Sequence, residues 1–267
     1  MKKILFLILM CFTLFMVTSC DRYQTGDLVT MTRDHISDAK TLEIRDITVK
    51  MGYTTKGPKV TVKEGSKPDV RVTYQESLNG KIKFDDTGGK LTISGEKNAT
   101  YKTDYDITIE LSGFTFETVF FYNAVDATFE EGTLTNNEVT MLAENASIVT
   151  INALTCNKLV YESNNASSLT IKSATVDDIQ CDALNASSVD LKGSSRNIKV
   201  TVNNASTFKS KDFSSDTVEV SINHASSLEI TANTSITGRM QSAGTLKYAG
   251  AATVDVTKDV SSTIEKI

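Results

Sequence analysis

Apolar and polar residues alternate along most of this chain in runs of four to six, as at Ile198, Val200 and Val202 or Val218, Val220 and Ile222. Alternation with period two buries one face of a β-strand and leaves the other wet. No window keeps helical spacing for three turns, so the pattern predicts an all-β protein.

The pattern also repeats. Asn145-Ala146-Ser147, Asn165-Ala166-Ser167-Ser168, Asn185-Ala186-Ser187-Ser188, Asn204-Ala205-Ser206-Thr207 and His224-Ala225-Ser226-Ser227 are separated by 20, 20, 19 and 20 residues, counted from Ala to Ala. Weaker copies at Asn123-Ala124, Ser242-Ala243-Gly244 and Val260-Ser261-Ser262 extend the series with intervals of 22, 18 and 17. Each tripeptide leads into a short alternating segment (Ile148 and Ile151, Leu169 and Ile171, Val189 and Leu191, Leu228 and Ile230). A polar turn and a second alternating segment follow, such as Leu159 with Tyr161 or Ile179 with Cys181. Twenty extended residues cover about 66 Å at about 3.3 Å each, one lap around a narrow core. Laps stacked in parallel make a β-solenoid, in which each lap buries its inner face only through its neighbours. A β-sandwich also spaces its strands this way, but it has no need of identical tripeptides every 20 residues.

The tripeptide suits a corner. Asn tolerates the left-handed conformation, Ala is small, and Ser can bond nearby backbone. Asn123, Asn145, Asn165, Asn185, Asn204 and His224 are therefore expected at corners as structural residues. Parity alone leaves open whether the Asn side chains point inward as a ladder.

Residues 39–116 are also β-rich but irregular, with candidate strands Leu42–Val49, Lys59–Val62, Val70–Tyr74, Lys81–Phe84, Lys90–Ser94 and Asp106–Leu111. Asn79-Gly80 reads as a hairpin turn between Tyr74 and Ile82. Residues 117–267 hold the repeats. No composition shift separates the two parts, which leaves room for one shared core.

Thr41-Leu42-Glu43-Ile44, Lys90-Leu91-Thr92-Ile93, Ile107–Leu111 and Phe120-Phe121-Tyr122-Asn123-Ala124, with the small-residue corners and Ser242–Gly250, resemble the family called putative auto-transporter adhesin, head GIN domain. The likeness covers about residues 38–267. It implies a β-rich entry leading into a right-handed parallel β-helix, exported proteins of the Bacteroidetes type, and an adhesin-like role. Where that family carries Gly-Ala at corners, this chain carries Asn-Ala. Gly and Asn are the residues best suited to a left-handed turn.

The N-terminus reads as an address. Lys2 and Lys3 precede an apolar run from Ile4 to Val17, followed by Thr18, Ser19 and Cys20. A basic start, a run too short to span a bilayer and small residues at its end make residues 1–19 a secretory signal. Val17-Thr18-Ser19-Cys20 resembles the lipobox of bacterial lipoproteins, which implies cleavage before Cys20 and acylation of that residue. Cys20 would then hold the protein to the outer membrane of the cell envelope, with its face, surface or periplasmic, left open. Residues 20–38 would form a tether.

Charge and cysteine content add exclusions. The formal net charge of −5 becomes −7 once Lys2 and Lys3 are removed, against a basic nucleic-acid-binding face. The repeat places Cys156 opposite Val176 and Cys181 opposite Tyr161, different points around the lap. That favours two buried single thiols over a disulfide. No CxxC or His/Cys spacing suggests a metal, and no cofactor is expected.

Catalytic signals are weak. Asp177-Asp178 with Asp182 is the best acidic cluster, but neighbouring laps offer Asn157-Lys158 and Asn197, so no acidic column builds and the chain reads as no enzyme. Six aromatic residues between Phe114 and Phe129 are expected to fill the junction with the first coil. Phe121, of opposite parity to Phe120 and Tyr122, is the candidate for an exposed binding aromatic. Asp216-Thr217-Val218 resembles an O-glycosylation motif of Bacteroidetes, with Thr217 as acceptor. The expectation is a lipid-anchored, non-catalytic binding module that contacts a glycan or an envelope or host protein through its solenoid surface. A periplasm-facing structural or accessory lipoprotein is the alternative, and a carbohydrate-active β-helix enzyme stands behind both.

Overall fold

The computed structural model describes residues 26–34, 36 and 38–267. The signal segment, Cys20 and most of the tether lie outside the described residues. Apart from one 3-10 turn at Glu76–Leu78, the regular structure described is extended.

The chain coils into a β-solenoid of about 7 turns with roughly 20 residues per coil. One lap shows why. After Asn165-Ala166, the side chains of Leu169, Ile171, Ala174, Val176, Ile179, Cys181 and Ala183 are buried. The alternation resets at Lys172-Ser173 and at Asp177-Asp178, where two successive residues lie outside the core and the lap bends. Each lap therefore has three straight segments, and the next lap stacks on it in parallel: Leu169 with Val189, Val176 with Ser195, Ile179 with Ile198, Cys181 with Val200. Cys156 pairs with Val176 and Tyr161 with Cys181. Where volume is lost in one lap it is recovered in another. Ala174 and Gly193 stand in register, and the ring of Phe213 follows them.

Residues before the first corner extend the same sheets. Their strands are β1 (Leu28–Asp34), β2 (Thr41–Arg45), β3 (Val49–Met51), β4 (Thr54–Lys56), β5 (Lys59–Lys63), β6 (Asp69–Gln75), β7 (Lys83–Thr87), β8 (Lys90–Ser94), β9 (Tyr101–Lys102) and β10 (Thr108–Ser112). The first coil begins with β11 (Thr118–Tyr122) and β12 (Asp126–Phe129). β11 pairs in parallel with β2, and β2 with β8. β12 pairs in parallel with β5, β5 with β10, and β10 runs antiparallel to β6. One buried apolar cluster runs from Ala39 to Ala252, with Phe114, Phe116, Phe121 and Phe129 filling the junction.

Four sequence expectations are corrected here. Residues 28–34, assigned to a tether, form β1, antiparallel to β6; Val29 and Met31 pack against the core. Asn79-Gly80 does not close a hairpin, because both edges of β6 are already taken by β1 and β10. The hairpin forms instead between β7 and β8, across Gly88-Gly89 with φ of 62° and 75°. The last interval is 18 residues and not 17: Thr245 pairs with Thr263, and Ser262 takes the place beside Gly244. Ile148, expected inside, is exposed, while Val149 and Ile151 face the core.

Candidate functional site

The corner residues were the first candidates. Asn145 and Ala146 have φ of 56° and 62°, and the pairs at 123–124, 165–166, 185–186, 204–205, 224–225 and 242–243 are all left-handed too. Two successive left-handed residues leave backbone groups that the next lap must satisfy. The Ala146 N–H donates to the Asn165 carbonyl at 2.9 Å, and the Ala186 N–H to the Asn204 carbonyl at 2.9 Å. The Asn side chains point outward and stack as amides: Asn145 Nδ2 to Asn123 Oδ1 at 3.1 Å, Asn165 Nδ2 to Asn145 Oδ1 at 3.1 Å, Asn204 Nδ2 to Asn185 Oδ1 at 2.7 Å. The row steps sideways at two laps: Asn185 Nδ2 donates to Asn164 Oδ1 at 2.7 Å, and His224 Nδ1 lies 2.8 Å from Asn203 Oδ1, in each case the residue before the corner Asn. The row begins at Asp46, itself left-handed, whose Oδ1 accepts from Asn123 Nδ2 at 3.1 Å. These contacts hold the corner in shape.

The aromatic candidate is corrected. Phe121 is fully buried, 6.1 Å from the ring of Phe129. Its inward place is set by register: it follows Ile44 of β2 and precedes the small Ala143, which leaves room for a ring. The outward residues of β11 are Phe120 and Tyr122, half-buried, with ring centroids 6.5 Å apart and planes 22° from parallel. Leu142 lies beside Phe120 on one side and Glu43 on the other; Glu144 lies beside Tyr122. Arg45 Nε bridges Glu43 at 2.6 Å, and Lys90 also pairs with Glu43. Burial, then the charges of Glu43 and Glu144, pushes the Tyr122 phenol above its ordinary value. Tyr122 therefore stays a hydrogen-bond donor at neutral pH. Two rings on a sheet face, with a donor and charged groups at their edge, form a platform for stacking and directed hydrogen bonds.

A shallow groove of about 360 Å³ lies further along the outer surface, lined by Lys158, Asp178, Asn197, Lys199, Thr217 and Glu219 among others. Its polar groups are engaged with one another. Asn197 Nδ2 donates to Asp178 at 2.8 Å, Lys199 to Glu219 at 2.7 Å, and the Thr217 hydroxyl to Asn197 Oδ1 at 2.6 Å. Asp177 pairs with Arg196 at 2.8 Å. Cys156 and Cys181, the cysteines among the described residues, are free and buried. Burial raises Cys156 to about 11 and pushes Cys181 further up, against the reactive thiolate. Among the described residues no group of three His, Cys, Asp or Glu is placed to hold a metal, and no helix is long and apolar enough to cross a membrane.

Residues 54–252 match the family model described as putative auto-transporter adhesin, head GIN domain. No curated protein matches the chain. Three crystal structures share the fold at 16% identity. A putative adhesin from Parabacteroides merdae has a TM-score of 0.76, covering 91% of this chain and 97% of its own. A putative lipid binding protein from Parabacteroides distasonis has a TM-score of 0.77, with coverage of 91% and 97%. A putative adhesin from Bacteroides fragilis has a TM-score of 0.61, with coverage of 90% and 97%.

Proposed function

This chain belongs to the putative auto-transporter adhesin, head GIN domain family, and on that premise we propose that it is a lipid-anchored, non-catalytic contact module of the cell envelope. Its contact surface is the outer sheet face around Phe120 and Tyr122, and its ligand class is a glycan. The observation that carries this reading is the stacked, outward Phe120–Tyr122 pair beside Glu43, Arg45 and Glu144. Aromatic rings stack on the C–H face of a sugar, while carboxylate, guanidinium and phenol groups at the edge can bond its hydroxyls. Acylation at Cys20 supplies the tether; more than one chain gives stable anchoring where a single chain gives reversible binding.

A carbohydrate-cleaving reading has one observation behind it, since Asp178 shares its groove with Lys158 and Lys199. It is the weaker reading. Asp178 and Glu219 are both engaged by neighbours, and Asp177 is tied to Arg196. The test is protease treatment of intact cells beside a lysed control, with and without Cys20→Ser. Cleavage in intact cells, with Cys20→Ser releasing the protein from the membrane fraction, is the expected result. Protection until lysis would favour the periplasmic accessory role, and an unchanged membrane fraction for Cys20→Ser would remove the anchor.

A further inference from the structure

The ring pair of β11 does not stand alone on its sheet face. Lap by lap, Phe120 is followed in register by Leu142, Glu162 and Asp182, and Tyr122 by Glu144 and Asn164. Tyr161, Ser163, Cys181 and Ala183 are buried, so Glu162 and Asp182 between them point outward. At about 4.8 Å per lap, the run from Phe120 to Asp182 covers about 14 Å. It passes from a ring to an aliphatic side chain to two carboxylates, with Glu144 as a third beside Tyr122.

The charge of this stretch is one-sided. Residues 138–144, 158–164 and 178–184 carry Glu138, Glu144, Glu162, Asp178 and Asp182 against a single cation, Lys158. Lys158 is taken by Glu138 at 3.8 Å, and Asp178 accepts from Asn197. Lys199, one lap beyond Gln180, is paired with Glu219. Glu43, at the other end of the face, already has Arg45 and Lys90. Glu144, Glu162 and Asp182 form no ion pair among the described residues. Glu162 and Asp182 stand directly opposite each other, a placement that costs stability between like charges. A cation brought from outside removes that cost. Burial first, and then the charges of Glu43, Glu144 and Glu162 against Arg45, raise the Tyr122 phenol. Rings and carboxylates thus share one electrostatic surface.

The backbone here has nothing to offer a peptide. β11 is bordered by β2 and by Glu138–Glu144, and that strand in turn by Leu154–Asn164 and Ser168–Leu184. With every edge taken, a strand cannot be added. What is left is a side-chain face repeating once per lap, and an extended chain of hexoses advances about one strand spacing per sugar.

We propose that the glycan of this face is cationic: a chain of amino sugars with free amines lies along the coil axis, one sugar stacked on Phe120 and Tyr122, its ammonium groups against Glu144, Glu162 and Asp182. The inference rests on the ring pair being a glycan platform and adds the charge of the ligand.

The probes are a glucosamine oligomer and the same oligomer N-acetylated, titrated by calorimetry into the full-length protein at mildly acid pH. The amine form is expected to bind at least ten-fold tighter, and added salt to narrow the gap. Glu162→Gln with Asp182→Asn is expected to lower that affinity ratio several-fold, with circular dichroism checking the fold. Asp190→Asn, across the Asn185 corner on another face, leaves the ratio as in the parent. Equal binding of the two oligomers, or a ratio that Glu162→Gln with Asp182→Asn does not lower, would overturn the charge inference and leave the platform standing. An oligolysine that binds as tightly, and equally well to Phe120→Ala/Tyr122→Ala, would overturn it too, because charge alone would then recruit the ligand. Binding of neither oligomer, nor of any other glycan, would remove the platform together with the inference.

Discussion

The backbone N–H of Ser187 donates to the side-chain oxygen of Ser206, one lap further on, at 3.1 Å. The Ser187 hydroxyl turns back to the Leu184 carbonyl at 2.6 Å. Ser147, Ser167, Ser187, Ser206, Ser226 and Ser262 are all buried, so the serines at the third corner position form an internal column beneath the outward amide row, interrupted by Gly244. The hydroxyls of Ser167, Ser206, Ser226 and Ser262 each accept the N–H of the third corner residue one lap earlier, which follows two left-handed residues. The repeated tripeptide is thus explained by stacking: at these four steps one corner supplies the acceptor that the corner before it lacks.

Removing one of these oxygens leaves a buried N–H without a partner, which costs about 1–3 kcal/mol. Ser206→Ala is expected to lower unfolding stability by that amount in urea titration. Ser188→Ala, exposed in the neighbouring lap, is expected to stay within about 0.5 kcal/mol of the parent. Equal effects would mean the column does not carry the corner.

Asn185 has φ of 55°. Replacement by Gly keeps that conformation accessible and is expected to cost little, whereas Asn185→Val adds a β-branched residue where left-handed geometry costs about 1–2 kcal/mol or more. The order Asn, Gly, then Val in thermal stability checks this; Val equal to Gly would contradict it.

The last corner is closed by a carboxylate. Asp259 accepts from the Ser242 N–H at 2.8 Å and from the Ser262 hydroxyl at 2.7 Å. These bonds, the Ser242 N–H first, lower Asp259 to about 2. A carboxylate depressed on folding stabilises fully above its unfolded value near 3.8 and loses that contribution as pH falls toward about 2. Hydrogen exchange at the Ser242 amide is expected to report looser closure across that window, beyond the intrinsic pH dependence of exchange. Asp259→Asn should flatten the added dependence.

Coil period, corner positions and the separate places of Cys156 and Cys181 were all legible in the sequence, because a solenoid repeats its constraints every lap and chance does not. What escaped was local. In Val119-Phe120-Phe121-Tyr122 both parities are apolar, so alternation carries no direction, and Ala143 beneath Phe121 decides it. Residues 28–34 carry an alternation of their own, with Val29 and Met31 turned to the core, but sit in a stretch read as a tether. Asn79-Gly80 has hairpin chemistry that tertiary pairing of β6 overrides.

The central claim is that the outward rings of β11 contact a glycan. The most direct measurement is carbohydrate-array binding of the purified protein beside the Phe120→Ala/Tyr122→Ala variant, with folding checked by circular dichroism. Phe121→Ala serves as the contrast, expected to lose about 3–5 kcal/mol of stability as a buried ring. The account predicts glycan binding by the parent and a loss of at least ten-fold in the folded double variant. A parent that binds no glycan, or a double variant that binds as well as the parent, would contradict it.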